Sequence, residues 1–143
     1  MRRDDFNPGP SHQPWLSEPN RQAWWDRASG YKCMIKRSEM GNLLGYVRLP
    51  RGHRLRGRGT FAIDRLFRVH GGVTWSGPNA LRDCYNKRGW WVGFDCAHSF
   101  DYVPGLWQLY PRWADLFPDA VYRDWAYVRS NVESLAAQLK ARE

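Results

Sequence analysis

The sequence predicts an α+β fold, an antiparallel sheet of four to five strands packed against a long C-terminal helix, with an extended N-terminal arm. Three observations predict it. Trp125, Val128, Val132, Leu135, Ala136 and Leu139 recur at three- and four-residue steps, which draws one apolar face of a helix. Trp90-Trp91-Val92-Gly93-Phe94-Asp95 is a short apolar run of strand length. Tyr31–Lys36 and Leu43–Leu49 are two further runs, joined through Gly41-Asn42, the pattern of a hairpin.

Each element follows in order. Residues 1–22 hold Pro8, Pro10, Pro14 and Pro19 among Asn, Ser, Gly and Gln, so they read as an arm, and residues 23–143 read as one domain. Trp15, Trp24 and Trp25 are placed to pin the arm onto the body. The first strand ends near Ser38, and Pro50 closes the second. Residues 51–59 are Arg, Gly, His and Leu alone, a flexible basic loop. Phe61–Val69 reads as a strand or a short helix, and Val69–Trp75 as a strand bent at Gly71-Gly72. Residues 76–89 read as a loop and residues 99–118, with three prolines, as an irregular wrapped segment. Asp119 is the expected N-cap of the last helix, with Asp124 adding negative charge near its start.

Composition narrows the function classes. Aromatic residues make up 15% of the chain, nine of them tryptophan, which is too apolar for a disordered protein. There is no run of 18 apolar residues and no apolar segment behind Met1-Arg2-Arg3, so a soluble cytoplasmic protein without membrane partners is expected. Cys33, Cys84 and Cys96 form no Cys-x-x-Cys pair; single thiols in a reducing compartment are expected, not a disulfide framework. The net charge of +8 lies wholly within residues 31–118, with fourteen basic side chains against six acidic. Arginine dominates there, and its rigid fork suits phosphate or carboxylate.

Candidate chemistry gathers on two segments, Arg68–Trp75 and Trp90–His98. His70, Asp95, Cys96, His98 and Asp101 are the one cluster with catalytic or metal-binding potential. Along an extended strand Asp95 and His98 point to opposite sides, so they meet only if the chain bends after Asp95. His70, His98 and Asp101 could ligate a metal, and His70, Asp95 and His98 could serve a hydrolase as acid, base or ligands. Cys96 reads better as a small buried hydrophobe than as a nucleophile. The favoured alternative is a pocket without turnover and without a cofactor. Arg48, Arg51, Arg54 and Arg68 would grip phosphates, Asp95 and His98 would read polar edges, and His53 and His70 would line the pocket with them. Trp75 and Trp91 would stack on rings, while Gly71, Gly72 and Thr74 present backbone groups. Its ligand would be a small anionic nucleotide-like molecule. Polymeric nucleic acid is a less favoured partner, since no recognition-helix motif is present. A homo-oligomer is expected.

Several strings together resemble a family of small bacteriophage and prophage proteins. They are Gly45-Tyr46-Val47, Gly52-His53, Val69-His70-Gly71-Gly72-Val73-Thr74, Gly93-Phe94-Asp95-Cys96-Ala97-His98 and Tyr122-Arg123-Asp124 with Tyr127-Val128; Trp15–Pro19 with Trp24 is similar too. Leu44 stands where such proteins often carry cysteine, Arg54 where they carry proline, and Ser99-Phe100 where they carry a smaller pair. The resemblance implies a phage accessory protein acting in the cytoplasm of the infected host. By analogy with phage proteins that sequester nucleotide second messengers of bacterial immunity, it implies an anti-defence role.

Overall fold

The computed structural model describes residues 13–78 and 89–143. Five strands form one sheet in the order β1-β2-β3-β5-β4, every neighbouring pair antiparallel. The strands are β1 (Arg21–Trp25), β2 (Lys32–Arg37), β3 (Leu43–Leu49), β4 (Trp75–Gly77) and β5 (Trp90–Asp95). A short helix α1 (Pro14–Ser17) precedes β1; α2 (Thr60–Asp64) follows β3; α3 (Pro104–Leu109) and α4 (Trp113–Leu116) follow β5; and α5 (Trp125–Lys140) ends the fold. Among the described residues no helix is long and apolar enough to cross a membrane.

Alternation decides which face of the sheet is covered. On β3, Leu43, Gly45, Val47 and Leu49 point to one side with Cys33 and Ile35 of β2 and Val92 and Phe94 of β5. α5 lies on that side, and its Val128, Val132, Leu135, Ala136 and Leu139 are all fully buried against it. Each large aliphatic residue there contributes roughly 1.5–3 kcal/mol by leaving water. Gly45 sets how closely helix and sheet approach, because a Cβ there would lie 2.6 Å from both the Phe94 ring and Val132. Asp124, not Asp119, caps α5: its carboxylate accepts the Tyr127 N–H at 2.9 Å.

The opposite face carries Trp25, Lys32, Met34, Lys36, Leu44, Tyr46, Arg48, Trp91 and Asp95, with Met34, Tyr46 and Trp91 forming a separate buried cluster. A third cluster joins Tyr102, Val103, Trp107 and Ala120 to Trp15, Trp113 and Phe117. It explains why the proline-rich stretch after β5 is ordered as two short helices and not as irregular chain.

Several boundaries differ from the sequence reading. The described part of the arm is not simply extended: Pro14–Ser17 is a helical turn, and β1 begins at Arg21, paired to β2. Glu18 and Asn20 are tied to Arg37, and Trp15 packs on Tyr102 and Tyr122. Residues 1–12 of the arm lie outside the described residues. Val69–Thr74 is not strand, because Gly71 and Gly72 both adopt left-handed φ (67° and 85°) and turn the chain before β4. Residues 51–59 form successive turns held by His53, and Leu55 is buried in the core. Most of the predicted 76–89 loop, residues 79–88 with Cys84, lies outside the described residues.

Candidate functional site

Asp101 is the organising residue, and its carboxylate is wholly buried. Oδ2 accepts from His70 Nε2 at 2.8 Å and from the His98 backbone N–H at 3.0 Å, while Oδ1 accepts from Arg123 Nε at 2.9 Å. Three donors, one of them a fixed cation, are what a buried carboxylate requires. Burial alone would raise the Asp101 pKa; the bonds from His70, His98 and Arg123 outweigh it and hold the carboxyl below the usual range.

Local sequence explains the convergence. β5 ends at Asp95, whose carboxylate accepts the Ala97 N–H at 3.0 Å, and this turn is the bend that brings His98 back over the strand end. His98 Nε2 then lies 3.4 Å from Asp95 Oδ1, too poorly aligned for a hydrogen bond, and is buried without a partner. His70 arrives from the other side. Its backbone N–H donates to Asn131 Oδ1, and its Nδ1 lies 2.7 Å from the Tyr127 hydroxyl on the first turn of α5. A neutral ring protonated on Nε2 satisfies both contacts, donating to Asp101 and accepting from Tyr127. The His70 and His98 ring centroids are 5.7 Å apart. The glycines make room: a Cβ on Gly71 would sit 2.0 Å from His98 Nε2, and one on Gly72 2.7 Å from Asp64 Oδ1, which receives the Val73 N–H.

The arginines of the expected pocket do not gather here. His53 bridges to the other end of α5: Nε2 donates to the Leu139 carbonyl at 2.9 Å and Nδ1 accepts the Leu55 N–H, so this buried histidine is structural. Leu139 is twelve residues along α5 from Tyr127, about 18 Å at the helical rise. Arg51 and Arg54 are exposed beside that distant end, where Arg54 reaches the Glu143 carbonyl. Arg68 is exposed, its backbone paired with Gln138. Arg48 and Trp91 belong to the sheet face away from α5, where the Arg48 guanidinium lies over the Trp91 and Trp25 rings. Trp75 is exposed on β4, and exposed Thr74 donates its N–H to Gly93 O. One pocket becomes three places. Only His70, Gly71, Gly72, Asp95, His98 and Asp101 share the site.

Arg123, Tyr127 and Asn131 complete the site and were not selected by sequence reasoning about chemistry. The Tyr-Arg-Asp string just before α5 was the available signal: its Asp caps the helix, so Arg123 is fixed at the entry and Tyr127 one turn later.

Cys96 and Cys33 are free and buried. Burial, then the charges of Asp101 and Asp95, push the Cys96 thiol far up; burial chiefly pushes Cys33 up to about 12. Neither supplies a thiolate near neutrality. Iodoacetamide at pH 8 should therefore spare both in the folded protein and label both in urea, read by peptide mass. Rapid native labelling of Cys96 would contradict this account of its surroundings.

Comparison of the sequence with protein-family models and with curated proteins, and of the fold with solved structures, finds no match.

Proposed function

We propose that the chain is a metal-dependent hydrolase of phosphoester bonds, with His70, His98 and Asp101 as the ligand set. The observation that carries this reading is the unpartnered His98 Nε2. A buried donor or acceptor left unsatisfied costs roughly 1–3 kcal/mol, and the residue that carries this one is among three ligand-type side chains gathered here. One ligand atom from each of His70, His98 and Asp101 lies within 4.8 Å of the others. Two imidazoles and a carboxylate are a donor set for zinc or a similar transition ion, and three protein ligands leave a position for water.

Charge supports a cation here over a bare anion. Asp95 and Asp101 stand against one guanidinium, Arg123, with Asp124 next along the chain. An anionic substrate then needs the ion as its bridge. When bound, the ion would supply an acidified water and a Lewis acid for phosphoryl oxygens. The chain's residues do the rest. To ligate through Nε2, His70 would carry its ring proton on Nδ1 and donate it to the Tyr127 hydroxyl, a contact that fixes ring orientation at metal sites. Asp95 is placed to take a proton beside His98, and Arg123 to meet phosphate oxygens. The net charge of +8 draws anionic esters toward the molecule. The resemblance of the converging strings to phage proteins fits a small-molecule target in the host cytoplasm.

The test is chelation, reloading with zinc or manganese, and assay on bis(4-nitrophenyl) phosphate and a panel of nucleotides. Turnover should depend on the ion and fall at least about 100-fold in His98→Ala, whose side chain is one-third exposed and whose removal should leave the fold intact. Tight binding with the nucleotide recovered unchanged would instead mark a sequestering protein. Neither ion binding nor turnover would remove the hydrolase.

A further inference from the structure

We infer that the face of the sheet away from α5 binds single-stranded nucleic acid, independently of the histidine site. Alternation along β1, β2, β3 and β5 places Trp25, Lys32, Lys36, Arg48 and Trp91 on the face away from α5, and the pairing of Trp75 with Gly93 adds Trp75 at the β4 edge. The cations and rings are interleaved. Lys32 Nζ lies 5.1 Å from the Trp25 ring centroid, and the Arg48 guanidinium lies 5.5 Å from Trp25 and 6.0 Å from Trp91. Met34, Tyr46 and Trp91 make a buried floor, while Trp25 is 60% and Trp75 43% exposed. Among the described residues, the helix layer that packs on the sheet, α5, is on the other side.

Exposed tryptophans at both flanks of a cationic strip offer stacking faces to a ligand that combines flat rings with negative charge. Bases stack on exposed rings in a sequence-tolerant way, and the phosphates between them pair with basic side chains. Trp25 and Trp75 sit on the first and last strands of the order, about 19 Å apart at ordinary strand spacing. That span suits several nucleotides crossing the strands, with Lys32 and Arg48 along the path. A duplex hides its base faces and gains only the charge. An acidic protein surface would also meet the charge, but it has no need of two upstanding indoles.

Anisotropy of a labelled 20-nucleotide oligothymidylate, measured with a chelator present, tests this without reference to the metal site. Two neutralised phosphates give a slope of about −1.4 in log affinity against log salt, roughly a sevenfold loss from 50 to 200 mM. Trp25→Ala should weaken binding about five- to hundredfold, with Trp25→Phe recovering much of it. Lys32→Glu should flatten the salt slope. Because Trp25 and Lys32 lie outside the core, circular dichroism should show both variants folded. Three results would each overturn the inference: no binding at 50 mM salt, equal binding of duplex, or equal competition by polyglutamate. Indifference to Trp25→Ala and Lys32→Glu in folded protein would do the same.

Discussion

Asp101→Asn is expected to destabilise the protein by about 3–5 kcal/mol, the range for breaking a buried ion pair. The carboxylate accepts three bonds at two oxygens, from His70, the His98 amide and Arg123. An amide keeps one acceptor and turns an N–H group toward the remaining donors, leaving Arg123 without its counter-charge. For a chain of this length the loss corresponds to a fall in melting temperature of about 10–17 °C. Urea unfolding with an unchanged m-value is the measurement, and a loss below about 1 kcal/mol would show that Asp101 organises nothing. The pH dependence has a definite sign. The folded carboxyl titrates below its unfolded value near 3.9, so its contribution is complete above that pH and drains away as pH falls below about 4. In Asp101→Asn that part of the acid sensitivity disappears.

Gly71→Ala is expected to damage function more than stability. Its φ of 67° costs a side chain about 1–2 kcal/mol. The added methyl would also lie 2.0 Å from His98 Nε2. Because the clash falls on the free end of an imidazole, His98 can swing aside, and the structure survives with one ligand displaced. Turnover and ion affinity should drop about 100-fold. Gly52→Ala is the control: φ is 83°, nothing lies within 4 Å of its added Cβ, and it lies on the loop that meets the far end of α5. It should cost similar stability and leave the site untouched. Equal functional losses in the two variants would contradict the crowding argument.

Periodicity made the sheet and the long helix legible, because burying one face imposes a period of two or 3.6 on the sequence. The apolar face of α5 and the Trp90–Asp95 strand were readable for that reason. Val69–Thr74 was not: its apolar residues flank two left-handed glycines, and a composition that suits a strand conceals a turn. Residues 99–118 misled in a similar way, since prolines that argue against long helices sit comfortably at the first turn of α3. At the site, the convergence of His70, Asp95 and His98 could be anticipated from two glycine-flanked segments. The distribution of arginines could not. The run of basic residues assigned Arg51, His53 and Arg54 to the same pocket, but β3 runs antiparallel to β5. Its C-terminal loop therefore lies at the end of the sheet opposite His98. Arg123 and Tyr127 came from a helix N-terminus whose placement only the fold determines.

The most direct test is calorimetric titration of chelator-stripped protein with zinc, in parallel with His98→Ala and Asp101→Asn. One ion per chain in the unaltered protein, and at least tenfold weaker binding in each variant, is the result expected of a three-ligand centre. No saturable binding, or binding that ignores both substitutions, would contradict it.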